Sequence, residues 1–584
     1  SYFAYSFMQP LAIYNAAGKE ENMKKSFCGI AVAAVMLFAE HPTMLMGTKC
    51  AIKIMKYTDK TEIQKYLCDT ILEICEGKIH NYNNLDTSVI VLSLWSEKHG
   101  RELVNDIIQN IKDENDREDF SKRYLMSFIW RKATTVNKDA FLQIIRTSPV
   151  EPEDVFRVLI ENASKEHHPL NALFLHEILI DKELPVRDAL WTICINDMAN
   201  EDERLFQLVL HFDEGNTLDG LSSANTELLL ILFVWLFTSS NRFLRDKSSK
   251  AAIELLKTHF DLCLPLLKRF EDVNDPYVIQ RLYGVIFGAC TKCQDAKYEA
   301  YEALSRYIYE EVFVKDEVYP DILLRDYAKL ILENFIYLYP EKSHFIIKDN
   351  ITPPYKSKPI PLVEKQEYYS KNAVNYGFNN IDFSMKMDIA ETPGMYGDFG
   401  RYVFQSALNN FLDVDLANAF HYSMQFIRDS LGYSDELLGE YDSRQRYAYF
   451  SRSETKKIER IGKKYQWIAM YNILARISDH HLLKEWEEEP HVFQGSWEPY
   501  VRDFDPTLNR NTMKISDAPI IKFPDYNFEF LPKEPIPDED AIQDWTIATA
   551  PFFSSIPEYL CMEDEKGVKW YALYFNKGIK NKEF

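Results

Sequence analysis

The densest set of groups able to do chemistry lies toward the end of the chain: Asp479, His480, His481, Glu485 and His491, followed by Asp503 and Asp505 in the string RDFDP. Imidazoles and carboxylates ligate divalent metals and also act as general acids and bases. In an extended segment alternate side chains share a face. Asp503 and Asp505 would then present two carboxylates to one side, as a Mg²⁺-dependent hydrolase could use. A plainer reading competes. Asp505-Pro506-Thr507 is a good turn or helix-start sequence, and Arg502 can pair with a neighbouring carboxylate. The plainer reading is preferred; the hydrolase stays as an alternative.

Three other patterns carry weaker chemistry. Cys290 and Cys293 have CxxC spacing, suited to zinc or thiol exchange, but no second CxxC or nearby HxxxH completes a site. They end an apolar stretch and read as structural. Gly394, Gly397 and Gly400 precede a helical pattern, where a phosphate could sit. They lack a Walker lysine and GxGxxG spacing, so a turn needing positive φ explains them better. No GxxxxGK[ST], GxSxG or HExxH occurs.

The best binding candidate is cationic. Lys456, Lys457, Arg460, Lys463 and Lys464 fall on one side of a helical pattern, with Arg444, Arg446 and Arg452 upstream and Tyr441, Tyr447, Tyr449 and Phe450 interleaved. Guanidinium, ammonium and aromatic groups together can hold phosphate or stack bases. The competing reading is a solvated face that balances an acidic neighbour. With the aromatic and acidic residues downstream, the candidate binding set is Arg446, Arg452, Lys456, Arg460, Lys463, Lys464, Trp467, Trp497, Tyr500, Arg502, Asp503 and Asp505.

One element must position most of these groups. The stretch Arg452 to Asp479 predicts a helix with Ser453 as a candidate N-cap. In its first half Ile458, Ile461, Tyr465 and Ile468 recur at three- and four-residue steps, opposite the basic residues. From Tyr465 to Ile477 no polar side remains, as in a helix that enters a core.

At 584 residues the chain exceeds the ~250–300 at which single cores stop growing, so several units are expected. Forty-six per cent hydrophobic and 27% charged residues is a globular composition. Sixty-seven basic against 89 acidic residues, a net charge of -22, opposes broad nucleic-acid or anionic-membrane binding except through a local basic patch. The longest apolar runs, Phe27 to Ala39 and Leu228 to Phe237, are short of the ~20 residues of a membrane span and read as buried helices. Nine scattered cysteines, mostly in apolar segments, read as reduced core residues of a cytoplasmic protein. Ser1 opens the chain without an initiator Met, and the end follows an apparent strand. Both ends read as cuts in a longer polypeptide.

Four regions follow. Residues 1–345 show helical stripes separated by Pro, Asn, Asp or Gly turns, with Pro149, Pro185, Pro276 and Pro320 placed to open helices. A faint repeat places Arg187, Arg245, Arg281 and Arg325 before apolar stripes, at steps of 58, 36 and 44 residues. It resembles HEAT repeats, whose stacked helical pairs make an α-solenoid with an extended recognition surface. Residues 346–395 are a proline- and aromatic-rich linker or crossover, 396–512 a helical domain, and 513–584 a small, partly β module with a hairpin turning at Lys566-Gly567. The fold class is mainly α: a HEAT-like solenoid, a helical domain and a partly β end.

The strings YGDFGRYVFQ, ERIGKKYQWIAMYNILARISD (459–479) and SWEPYVRDFDPT (496–507) resemble a motif set of the C-terminal half of large bacterial ATP-binding proteins, among them STAND-type antiviral NTPases of the AVAST kind. The resemblance spans about residues 395–575. It implies a helical-repeat sensor that recognises a phage protein, structural or packaging, downstream of an ATPase and an effector that is often a nuclease, with homo-oligomerisation of the full-length protein. This chain has no Walker or nuclease motif, so no catalytic residue is carried over; ATP and Mg²⁺ belong to an upstream domain. The expected function is protein recognition without catalysis in this segment. The alternatives are an adaptor scaffold unconnected with ATP hydrolysis and the metal-dependent hydrolase at His480 and Asp503.

Overall fold

A computed structural model describes a few positions between 93 and 111, then 113–507 apart from 199–203, 217–220, 294–297, 365–379, 392, 395, 448–457, 485–488, 495–496 and 498–503, and finally 561–563, 567 and 569–571. The described chain is mainly helical. It divides into two compact units, residues 1–507 and 508–584.

Helix starts follow local chemistry. Side chains of Asp113, Asn137, Asn171, Ser222, Asn241, Asp275, Asp321 and Asp415 each accept a first-turn N–H, which satisfies donors that have no partner inside the helix. Pro276 opens its helix at the first position, and Pro185 lies in a first turn. Pro149 and Pro320 instead lie in the connections just before helices. Pro152 does the opening in the first case, and Asp321 supplies the cap in the second.

In chain order the helices of the first unit are α1 (Glu114–Met126), α2 (Lys138–Thr147), α3 (Pro152–Asn162) and α4 (Ala172–Ile180). Next, α5 runs Leu184–Arg187, passes through a π-helical turn at Asp188–Thr192 and resumes over Ile193–Asp197. Then come α6 (Arg204–Asp213), α7 (Ser223–Leu236), α8 (Arg242–Leu256), α9 (Cys263–Arg269), α10 (Pro276–Lys292), α11 (Tyr298–Ile308) and α12 (Ile322–Leu338). The later ones are α13 (Asn380–Met385), α14 (Ser406–Leu408, after a π-helical turn at Phe399–Gln405), α15 (Leu416–Gln425), α16 (Asp435–Tyr447) and α17 (Ile461–His480).

Packing follows sequence order in the first half: α6 lies against α8, α7 against α8, α8 against α10, and α10 against α12. Leu228 to Leu236, most of α7, and Phe237 just after it are all buried, as an apolar circumference requires. The run Phe27 to Ala39 lies outside the described residues. Helices on both sides of the 346–395 stretch contribute to one continuous apolar core. At its centre is α17, packed against α10, α12, α13, α14, α15 and α16. No described helix is long and apolar enough to cross a membrane.

The basic positions of the repeat, Arg187, Arg245, Arg281 and Arg325, are all buried. Arg245 and Arg325 sit four residues after their caps and reach back six residues to loop carbonyls, Ser239 and Tyr319. Arg117 does the same to Ile111. Such a side chain ties a helix to the loop that feeds it, and its charge meets carbonyl oxygens instead of water.

In the first unit β1 (Leu482–Leu483) pairs antiparallel with β2 (His491–Val492). In the second, β3 (Cys561–Glu563) pairs antiparallel with β4 (Lys569–Tyr571), and Gly567 between them has φ 76°.

Candidate functional site

The helix expected over 452–479 is observed over Ile461–His480. Residues 448–457, including the candidate cap Ser453, lie outside the described residues. Arg460 precedes the helix with extended backbone and offers no side-chain cap. The cap arrives from another helix. Asp442 of α16 accepts the N–H of Ile461 at 2.6 Å and of Gly462 at 2.8 Å, while the Tyr433 hydroxyl donates to it at 2.8 Å. Burial pushes the Asp442 carboxyl up to about 6, against the pull of these donors. The site is tight at Gly462: a Cβ there would stand 2.8 Å from Asp442 Oδ2 and 2.8 Å from the Ile381 side chain, so one of them would have to shift.

Just inside the helix, one member of the expected basic face turns inward. Lys464, read as part of a cationic surface, is 3% exposed. Its ammonium lies 2.9 Å from Asp188 Oδ1 and 2.6 Å from Asp275 Oδ2. Asp188 also accepts the Tyr465 hydroxyl at 2.9 Å and the Thr192 hydroxyl at 2.6 Å. Burial and Asp188 together hold the Tyr465 hydroxyl well above its ordinary pKa. Arg187 stands 3.7 Å from Asp275 and donates to Asn274 at 2.6 Å. The π-helical turn of α5 carries Asp188, and the N-cap of α10 is Asp275, so one lysine joins α17 to both. Two carboxylates around one ammonium repay part of its desolvation, which a lone buried charge could not do. The amphipathic reading failed at this residue because a lysine on a helix counts as solvent-facing by default, and only tertiary placement reveals two acids.

The remaining candidates scatter. Arg460 donates to Ser384 Oγ at 3.3 Å, and Lys463 pairs with Glu459 at 2.6 Å. Trp467 is half-buried, edge-on to Phe399 at 5.0 Å. Trp497 lies 4.4 Å from Phe493 between ring centroids and also contacts Phe411. Asp505 is exposed and accepts the backbone N–H and hydroxyl of Thr507, the turn geometry of the plainer reading. Arg446 belongs to the last turn of α16. The side chain of Arg446, together with Arg452, Lys456, Tyr500, Arg502 and Asp503, lies outside the described residues.

The histidine and aspartate set is committed to structure where it is described. Asp479 receives Arg325 at 2.8 Å. His480 Nε2 lies 2.8 Å from the Ser357 carbonyl, and His481 Nδ1 lies 2.9 Å from that of Leu412. His491 is in β2, and Glu485 is outside the described residues. Among the described residues no group of three or more His, Cys, Asp or Glu side chains is placed to hold a metal. Cys290 is buried, and burial pushes its thiol up to about 12, far from the thiolate that zinc or exchange chemistry needs. Of the glycines, Gly394 has φ 71°, as expected. Gly397 and Gly400 are required for another reason, since a Cβ at either would meet backbone carbonyls of Phe383 or Lys386 at 2.2–2.3 Å.

Sequence reasoning missed Asp188, Asp275 and Asp442. Their signal was faint. Arg187-Asp188 interrupts an apolar stripe with a paired charge, and Asp275 precedes Pro276 as a cap does. The chain matches no family model, no curated protein and no solved structure.

Proposed function

We propose that this chain is a protein-recognition scaffold. On the resemblance of residues 395–575, we assign it the sensor role of a STAND-type antiviral NTPase, with the ATPase and effector carried elsewhere in a longer cytoplasmic polypeptide. The observation that carries the reading is the inward orientation of the candidate chemistry. Lys464 binds Asp188 and Asp275, and Arg325 binds Asp479, in two separate buried groups between helices, leaving the described surface to offer area. The sequential packing of α6, α8, α10 and α12, with buried arginines at the repeat positions, supports a HEAT-like solenoid. A bound partner would shift the full-length protein toward an assembled state only by binding that state more tightly.

The test is capture of phage structural and packaging proteins by the chain, with Lys456→Glu/Arg460→Glu/Lys463→Glu as the control. The reading expects a specific protein retained by the native chain and weakened in the variant. Retention of none ends it. An adaptor scaffold without ATP hydrolysis would present the same surface, and a Walker A motif in the longer open reading frame separates the two.

A further inference from the structure

Between Pro353 and Glu364 the chain runs without helix across the ends of three elements; the Tyr355 ring anchors it 5.6 Å from Phe313 and 5.1 Å below the Arg325 guanidinium, and elsewhere other residues hold its backbone. Asp479 accepts the N–H of Tyr355 at 2.8 Å and the hydroxyl of Ser357 at 2.6 Å. The Val318 N–H donates to the Lys356 carbonyl at 2.8 Å. Glu317 and Arg476 take the next peptide from both sides: Glu317 accepts the Lys358 N–H at 3.1 Å, and Arg476 donates to its carbonyl at 2.8 Å. Asn418 repeats the arrangement, accepting from Val363 N and donating to the Pro361 carbonyl, each at 3.0 Å. His480 lies against the Ser357 carbonyl.

Side chains that hold both the N–H and the C=O of extended peptides read backbone more than sequence, as strand-addition and polyproline grooves do. The composition of the strap fits. Pro359 and Pro361 have no N–H to satisfy, and the one carbonyl that Pro361 offers is taken. Lys356 lies 4.0 Å from Asp316 and Lys358 lies 3.7 Å from Glu317, which also pairs with Arg476 at 2.8 Å, so each strap lysine faces a carboxylate. Pro354, Lys356, Lys358 and Leu362 face outward, and Leu362 is 87% exposed.

We propose that the cleft formed by Glu317, Asn418, Arg476, Asp479 and His480 is a recognition site for an extended, proline-containing, lysine-bearing segment of a protein partner, and that residues 353–363 occupy it in cis. This rests on the scaffold reading and specifies its ligand. Because a tethered segment competes at an effective concentration in the mM range, the partner must displace the strap, and the strap thereby sets a threshold for recognition.

The probe is a fluorescein-labelled peptide of residues 353–364, PPYKSKPIPLVE, titrated by anisotropy against the full chain with residues 355–363 replaced by a glycine-serine run of equal length. The peptide is expected to bind this chain at least about tenfold more tightly than the unmodified one. The same gain is lost when Asn418→Ala is added or when both peptide lysines are changed to glutamate. A replaced chain that keeps its helical circular dichroism and binds no peptide overturns the proposal. Should replacement unfold the chain, amide exchange in the unmodified protein decides. The amides of Tyr355, Lys358 and Val363 are expected to exchange at least about tenfold faster than those of Ile468 and Leu474 in α17, because a displaceable strap opens locally. Equal protection would make it part of the global core and overturn the proposal. Failure of the peptide leaves phage-protein capture standing as a separate result, and the converse holds.

Discussion

Arg325 and Asp479 stand 154 positions apart in the chain, yet their side chains meet at 2.8 Å with both buried. The guanidinium also donates to the carbonyls of Val318, Tyr319 and Ala475, so α12, the loop before it and the end of α17 share one charged centre. Asp479→Ala would leave a buried guanidinium without its counter-ion. We expect a loss of about 3–5 kcal/mol in urea unfolding. The pair Arg325→Met/Asp479→Leu should be much milder than the sum of its single changes. Strict additivity would show that the two charges do not act together.

Gly462→Ala sets helix propensity against sterics. Alanine is the better helix former by about 1 kcal/mol, but its methyl would stand 2.8 Å from the carboxylate that caps the helix. We expect net destabilisation by about 1–3 kcal/mol, read as a lower urea midpoint. A stabilised variant would mean that Asp442 can move aside without cost.

Asp321 is the N-cap of α12, and burial pushes its carboxyl up to about 7 against the N–H groups of Leu323 and Leu324. A carboxyl raised above its usual 3.8 binds its proton more tightly when folded. Its contribution to stability is therefore fully present below about pH 4 and is lost as pH rises through about 7. Asp321→Asn keeps a good cap and cannot ionise. Relative to this variant the native chain should lose roughly 4 kcal/mol between pH 4 and pH 7.5, at about 1.4 kcal/mol per pKa unit. Unfolding curves at the two pH values test this, and a constant difference would contradict it.

The buried thiols of Cys263 and Cys290 should be chemically quiet. Burial raises the thiols of Cys263 and Cys290, so iodoacetamide at pH 8 should leave both unlabelled in the native chain, as read by peptide mass spectrometry. Rapid labelling of Cys290, or a Cys290–Cys293 disulfide, would restore the redox reading.

The helical character of the chain was legible because apolar stripes and Asn, Asp or Ser caps are local signals. Leu228 to Leu236 and most of Tyr465 to Ile477 are buried, as an apolar circumference requires, whereas Trp467, Asn472 and Arg476 make a half-buried side that the reading of α17 as apolar all round missed. What could not be read was pairing at long range. Nothing near Lys464 announces Asp188 and Asp275, and nothing near Ile461 announces that Asp442 will cap it. A lysine written among other lysines looks like surface until its acids are found. Asp505 shows the reverse: its turn with Thr507 is local and was recognisable from Asp-Pro-Thr alone.

The positive charge at the start of α17 ties helices together. Urea unfolding of Lys464→Ala beside Lys463→Ala tests this most directly, because the two are adjacent in sequence and identical in chemistry. Lys464→Ala should cost about 3–5 kcal/mol, because it takes the lysine from buried Asp188 and leaves Asp275 only Arg187 at 3.7 Å. For Lys463→Ala, whose partner is Glu459 one turn away, the expected change is at most about 1 kcal/mol. Equal, small effects at both positions would contradict this and return Lys464 to the surface.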